Sequence, residues 1–487
     1  MTDLTPPGRR GPRRRSARTP AQRQRRADPA REAAYSLLRA VATQDAYANL
    51  ELPRILTAAG LRGRDAAFAT ELAYGTLRMQ GLYDAVAAQA ASRPTSAIDP
   101  AVLDVLRLGI HQLLGMRVPD HAGVSATVAL ARQHVGQGAA GFVNAVLRRV
   151  VERDRSAWID TVTTEEPDET ARLAVEHSHP AWIVRALRAS LLANTGTDEE
   201  LVALLAAQNV AGSLSLAARP GLVEDEELRE AGAHPSPTAR TAWTLPSGDP
   251  GALAAVRDGR VAVQDAGSQL LTLALADAPI EGPDARWLDL CAGPGGKAGL
   301  LAALAHGRGA HLRANEISPH RAELVRQTLR SVVEAGARVE VTVEDGRDVG
   351  SHEPGRYDRV LVDAPCTGLG ALRRRPEARW RRSPRDIPAL APLQRALLDS
   401  ALEATRSGGL VAYATCSPHL AETHLVVRDV LKGRAGQDAE LVDVRPHLRD
   451  RDGRPVAGVG RPDELWAQLW PHRHGTDGMF VALLRRR

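Results

Sequence analysis

The chain holds 487 residues, 44% of them hydrophobic, with 63 Lys and Arg against 58 Asp and Glu for a formal net charge of +5. That length predicts about two to four domains with ample material for buried cores, while the lack of any apolar run of about 18 residues argues against a membrane span. Three widely separated cysteines, Cys291, Cys366 and Cys416, exclude a disulfide framework and a paired-cysteine zinc site, so a reduced, cytoplasmic protein with no metal site and no membrane partner is expected.

Residues 1–28 read as a disordered arginine-rich tail with no apolar stretch of the kind a secretory signal needs. Residues 1–27 hold nine arginines and one acid, Asp3, so the rest of the chain carries a small negative balance. Such tails bind nucleic acid through phosphates. Residues 29–156 read as all helix. AREAAYSLLRAV, DAAFATELAYGTLRM, AVLDVLRLGIHQLL, AGVSATVALARQ and GAAGFVNAVLRRVVERD carry apolar residues at three- and four-residue steps. Residues 157–260 begin with linker helices, HPAWIVRALRASLL among them. They continue as a small α+β module with a strand at SLSLAAR, an acidic helix and a strand near 259–263.

From 261 to 487 the pattern becomes strand, turn, helix, repeated. Strands are expected at WLDL, HLRANE, VEVTVED, DRVLVDAP, LVAYATC and MFVALL, with helices at KAGLLAALA, PHRAELVRQTLRSVVEA and LAPLQRALLDSALEAT. This alternation predicts a doubly wound α/β sheet of Rossmann-like type, with ligands at the C-terminal ends of the strands.

The first of these strands runs into Cys291-Ala292-Gly293-Pro294-Gly295-Gly296-Lys297, a glycine-rich turn opening a helix. Glycines let backbone approach a ligand closely, and a helix N-terminus favours negative groups. The spacing is neither that of a P-loop nor that of a complete dinucleotide fingerprint. Glu316 ends the next strand, where a carboxylate can accept ribose hydroxyls; Asp345 ends the third and Asp363 the fourth. Four strand ends so equipped suit an adenosine-bearing ligand that lacks a required pyrophosphate. S-adenosylmethionine leads, with a nicotinamide dinucleotide as runner-up.

Cys366, in DAPCTGLG, and Cys416, in YATCS, are expected on the same rim. Only Lys297 and Lys432 among the 63 basic residues are lysine. A compact ammonium at 297 favours a thiolate nearby. Two thiols, a carboxylate and a methyl donor suggest covalent catalysis at carbon 5 of a pyrimidine, a position that becomes nucleophilic only after a thiolate adds to carbon 6. Spacing leaves both cysteines open as the nucleophile. Between them, residues 373–385 hold seven arginines and Trp380, expected to neutralise phosphates and stack on a base.

VQDAGSQ, LDLCAGPGGK, Glu316, Asp345, DAPCTGLGALRRRPEARW, YATCS with Glu422 and the closing DGMF resemble the RsmB/Sun family of RNA 5-methylcytosine methyltransferases. The helical N-terminal part, with FVNAVLRR, resembles a NusB-like RNA-binding domain. The resemblance implies Cys416 as nucleophile and Cys366 as the group assisting release of methylated RNA. It also implies that Cys291 to Lys297, Glu316, Asp345 and Asp363 bind S-adenosylmethionine, and that Asp363 and Lys297 orient or activate the cytosine. The implied substrate is 16S rRNA, free or in a partial small ribosomal subunit, acted on by a monomer. The alternatives are a tRNA cytosine-C5 methyltransferase on the same scaffold, or a non-catalytic RNA-binding assembly or antitermination factor. The chain departs from the family pattern at Gly293, where alanine is usual, at Ala298, at Asn315-Glu316 and at His177.

Overall fold

A computed structural model describes residues 27–246 and 248–487. The arginine-rich tail expected over residues 1–28 lies outside the described residues but for its last two. Ala27 donates its N–H to Gln133 Oε1 at 3.0 Å, and Asp28 caps the first helix by accepting from Arg31 N–H. These two residues belong to the helical block.

That block contains Pro29–Thr43, Ala48–Ala58, Gly63–Arg78, Gln80–Ala91, Pro100–Leu114, Asp120–His134 and Gln137–Val150. The periodic leucines, valines and alanines point inward, with Leu37, Leu72, Val86, Leu106, Val143 and Leu147 fully buried in one core. Asp28 and Asp99 each precede a proline in the first turn. Their carboxylates satisfy the orphan N–H groups of the helix start, while proline occupies a site that needs no donor. Helices Arg155–Thr163, Glu169–Glu176, Ala181–Thr195 and Leu201–Ala207 follow as the bridge.

The small module is a four-stranded antiparallel sheet of β1 (Leu214–Ala218), β2 (His234–Pro235), β3 (Ala242–Leu245) and β4 (Val261–Val263), in the order β2-β3-β1-β4. The strands at 234 and 242 carry no sequence pattern of their own. β3 is defined by pairing with β1 and β2 by pairing with β3, and Trp243 is buried in the module's core. Residues 261–263 close this sheet rather than opening the next one. Arg219, buried, locks the module to the following domain by donating to the Thr328 carbonyl at 2.7 Å and to Ser331 Oγ at 3.0 Å.

The large sheet comprises β5 (Arg286–Asp289), β6 (His311–Asn315), β7 (Val339–Thr342), β8 (Tyr357–Asp363), β9 (Thr405–Thr415), β10 (Ala439–Val442), β11 (Ala467–Gln468) and β12 (Phe480–Arg486). Its order is β10-β12-β9-β8-β5-β6-β7, with β11 beside β12. β9, β8, β5, β6 and β7 are parallel, and β12 runs antiparallel to β9. Alternate residues feed two cores. Leu410, Ala412 and Ala414 face helices Ala266–Asp277, Gly296–Gly307 and Pro319–Glu334. Val411 and Tyr413 face Ile387–Ala404 and His424–Lys432. A parallel sheet covered on both faces explains why these strands read as continuous apolar runs. The chain passes from β5 outward to β7 and then returns to β8, so the strand order reverses between β5 and β8, the place where such sheets open a ligand crevice. Among the described residues, no helix is long and apolar enough to cross a membrane.

Candidate active site

The crevice at that reversal is a cleft of about 960 Å³. Its lining includes Cys291, Ala292, Gly293, Pro294, Gly296 and Lys297 from the turn after β5, Asp363 and Cys366 from the end of β8, and Cys416 just beyond β9. Nine of the expected site residues thus converge from three strand ends that together span more than 100 positions of the chain.

The turn keeps its shape through glycine. Gly295 has φ +107°, a conformation that side-chain-bearing residues rarely adopt, and it caps helix Gly296–Gly307. At Gly293 a β-carbon would lie 2.3 Å from Glu316 Oε2. The departure from alanine at this position therefore brings the backbone directly against that carboxylate, to which Gly293 N–H donates at 3.1 Å. Glu316 is buried and also accepts from Ser318 N–H at 3.0 Å and from the exposed Arg321 at 2.7 Å. Asp345 sits differently. β7 stops at Thr342, and Asp345 lies beyond it, paired with Arg347 at 2.5 Å and outside the cleft lining. The Arg347 hydrogen bonds hold its carboxyl below the usual range.

Lys297 Nζ donates to Asp363 Oδ2 at 2.7 Å. Burial alone would lower the ammonium, but the adjacent Asp363 carboxylate outweighs it and the pKa stands above its ordinary value. The sulfurs of Cys366 and Cys416 are 3.4 Å apart. At that separation one thiol hydrogen-bonds the other's thiolate, and the surroundings decide which is which. Cys416 is held below the ordinary thiol value, first by the bond from Cys366 and then by Lys297 and Arg375, against burial and Asp363. Cys366 is pushed well above it by its bond to Cys416, by burial and by the Cys416 and Glu422 charges. Cys291 is pushed well above it by burial and then by Asp289, Asp363 and Glu316. Among the three cysteines, Cys416 alone has surroundings that favour the nucleophilic thiolate.

Glu422 holds the pair together. It is fully buried and accepts from Thr367 N–H at 2.8 Å, Thr367 Oγ1 at 2.5 Å, Ser417 Oγ at 2.6 Å and Gln394 Nε2 at 3.2 Å. Thr367 follows Cys366 and Ser417 follows Cys416, so one carboxylate clamps both cysteine loops. Gly370 adds a second tie, donating its N–H to the Cys416 carbonyl at 2.9 Å and accepting from Gly478 N–H at 2.8 Å. A β-carbon at Gly370 would sit 1.8 Å from the Gly478 oxygen.

The arginine-rich segment corrects an expectation. Arg373 and Arg374 pair with Asp265 and Asp477, joining VQDAGSQ to the closing DGMF. Arg379 is buried and donates to the Arg78, Ser178 and Gln208 carbonyls and to Asn209 Oδ1. Arg381 donates to the Val41, Asp45 and Ala46 carbonyls. Trp380, expected to stack on a base, packs its indole edge on Gly81 of the helical block. Carbonyls and carboxylates of neighbouring elements claim these side chains because guanidinium forks satisfy several buried acceptors at once. Arg375 and Arg382 remain exposed at the cleft.

Two residues with direct bearing on the site went unread in the sequence. Asp289, at the tip of β5, is fully buried with neither oxygen hydrogen-bonded by a side chain. Burial, and then the Asp363 charge, push its carboxyl up to about 7. It sits in the quoted LDLCAG, and the acid two positions before Cys291 was the available signal. Tyr47 reaches the cleft from the helical block, and nothing in its local sequence marks it.

Two family models match the chain, 16S rRNA methyltransferase RsmB/F over residues 274–485 and the NusB family over residues 28–152. A Mycobacterium tuberculosis H37Rv protein, whose name gives a methyltransferase and no substrate, is 51% identical over 475 residues, covering 96% of this chain and 99% of its own. Ribosomal RNA small subunit methyltransferase B of Pseudomonas putida is 32% identical over 463 residues, covering 93% and 98%. The chain belongs to the RsmB/Sun family of RNA methyltransferases. The crystal structure of PH0851 has the same fold, with a TM-score of 0.74 at 21% identity over 94% of this chain and 99% of that one.

Enzymes of the RsmB/Sun family use S-adenosylmethionine, and the residues present fit that group. The glycine turn leaves open space at Gly296, where a β-carbon would meet nothing within 4 Å. A buried carboxylate, Glu316, accepts from the turn at Gly293, and the Arg321 covering that carboxylate is half-exposed. Among the described residues no group of His, Cys, Asp and Glu is arranged to hold a metal ion.

Proposed function

We propose that this enzyme forms 5-methylcytosine in 16S rRNA through a covalent bond between Cys416 and the target base. The observation that carries the reading is the Cys366–Cys416 pair at 3.4 Å beside the Lys297–Asp363 ion pair. Methylation of a nitrogen or oxygen needs no such pair of thiols. S-adenosylmethionine, when bound by Cys291 to Lys297 and Glu316, supplies an electrophilic methyl group for carbon 5. Asp345 joins that binding set on release of Arg347.

The Cys416 thiolate, stabilised by Lys297, adds to carbon 6 of the cytosine, and the electron pair moves toward carbon 5. Asp363, at the cleft wall, orients the base. Once Cys416 is bonded to carbon, its negative charge is gone, and with it part of what keeps Cys366 protonated. Once carbon 5 has taken the methyl group, Cys366 can release its own proton to solvent and, as a thiolate, take the carbon 5 proton. The carbon 5–carbon 6 double bond re-forms as Cys416 leaves as a thiolate, which restores the starting pair.

The NusB family match and relatives named for the small-subunit rRNA support 16S rRNA, free or in a partial subunit, over tRNA. A monomer acting in the cytoplasm suits that substrate. The test is incubation with labelled S-adenosylmethionine and unmodified 16S rRNA or tRNA, followed by bisulfite mapping. Label in 16S rRNA at one cytosine supports the reading, label confined to tRNA moves the substrate, and no transfer to either defeats it.

A further inference from the structure

Tyr47 is a large aromatic with no place in the core. It is 52% exposed and packs in none of the apolar clusters of the helical block. It lines the same cleft as Lys297, Cys366 and Cys416, although it comes from the opposite end of the chain. The turn that carries it is held firmly. Asp45 takes a left-handed φ of +51°, a conformation that aspartate tolerates better than most residues. Arg381 gathers the carbonyls of Val41, Asp45 and Ala46 at 2.7 to 3.0 Å. On the other side the buried Glu377 accepts from Ala48 N–H at 3.3 Å. The ring is therefore fixed against the catalytic domain by bonds that its own side chain does not make.

The charge around the ring completes the setting. The guanidinium carbons of Arg375 and Arg381 lie 5.9 and 5.7 Å from the ring centroid. Arg375 and Arg382 are exposed at the cleft. A half-exposed aromatic ring with cations over it, beside a cleft proposed to act on one base, matches the way single-stranded nucleic acid is held, with bases stacked on aromatics and phosphates neutralised by arginine.

From this placement we propose that Tyr47 is a stacking platform for an unpaired nucleotide next to the target cytosine, so that the helical block forms a wall of the active site. The proposal rests on the RNA-cytosine reading above. The test uses the full chain and a short single-stranded RNA of the target region carrying 2-aminopurine beside the target cytosine, with wild type, Tyr47→Phe and Tyr47→Ala compared. Wild type and Tyr47→Phe should quench the 2-aminopurine on binding and bind the RNA within about twofold of each other. Tyr47→Ala should lose the quench and weaken RNA binding about tenfold to a hundredfold. Its melting temperature and S-adenosylmethionine binding should be unchanged. Equal RNA affinity and quenching in all three proteins would overturn the proposal. So would equal losses in Phe and Ala with lowered melting, which would make the residue a domain clamp. Because binding and quenching are read without methyl transfer, a wild type that bound and quenched but transferred nothing would count against the catalytic reading alone.

Discussion

Removing Glu422 tests whether a single buried carboxylate sets the geometry and ionisation of the two thiols. In Glu422→Ala, four donors lose their acceptor. The Thr367 and Ser417 hydroxyls can bond one another, being 3.1 Å apart, and Gln394 keeps the Pro365 carbonyl at 2.8 Å. The Thr367 N–H has no replacement. One orphaned buried N–H costs about 1–3 kcal/mol, and the vacated side-chain volume adds a cavity cost, for about 3–5 kcal/mol together. Glu422→Gln behaves differently. Its amide oxygen can still accept from Thr367 N–H, and its amino group can donate to hydroxyls that reverse their role, so the loss is about 1 kcal/mol. It also removes a negative charge that raises the Cys366 pKa, so Cys366 ionises at lower pH. Denaturant unfolding measures the first effect. Alkylation by iodoacetamide, resolved by mass spectrometry at each cysteine across pH, measures the second. If Glu422→Ala unfolds at the wild-type denaturant concentration, and Glu422→Gln leaves the Cys366 alkylation profile in place, the carboxylate does not organise the pair.

Cys416→Ala should abolish transfer, while Cys366→Ala should accumulate a covalent protein–RNA adduct visible on a denaturing gel; loss of activity in Cys366→Ala without adduct would exchange the two roles. Lys297→Gln removes a positive charge that lowers the Cys416 pKa, so the pH profile of Cys416 alkylation should move to higher pH. A shift of about one unit corresponds to roughly 1.4 kcal/mol, and an unmoved profile would refute the role given to the ammonium. Asp289 has its folded-state carboxyl raised from 3.8 to about 7. The folded state therefore holds the proton more tightly than the unfolded chain, and stability falls as pH rises through that window. Asp289→Asn should flatten the stability profile between about pH 4 and pH 7; a slope equal to wild type in urea unfolding would show that Asp289 is already ionised there.

The layered α/β domain was legible because its strands are buried on both faces and so read as apolar runs, and because the helices between them keep a three- and four-residue period. The helical block was legible for the same reason of periodicity, and the Asp-Pro starts at 28–29 and 99–100 were a further signal that went unused. The short strands His234–Pro235 and Ala242–Leu245 were not, since pairing with neighbouring strands rather than local pattern makes them strands. The glycine turn, Asp363 and the cysteines could be placed on one rim because parallel strands bring their C-terminal ends together whatever their separation in sequence.

By itself the sequence determined the inventory of the site: the turn at 291–297, two cysteines at strand ends, and one of only two lysines in an arginine-rich chain. Tertiary structure decided how they are arranged. Which thiol ionises more readily depends on a 3.4 Å contact, on Lys297 lowering Cys416 and on Glu422 raising Cys366. Such energies vary with distance and burial, which chain position does not encode. Structure likewise turned most of the arginine-rich segment from an expected RNA contact into the interdomain seam, because each buried carbonyl at that seam required a donor. It brought Tyr47, more than 240 residues from the glycine turn, into the cleft that Lys297, Cys366 and Cys416 line.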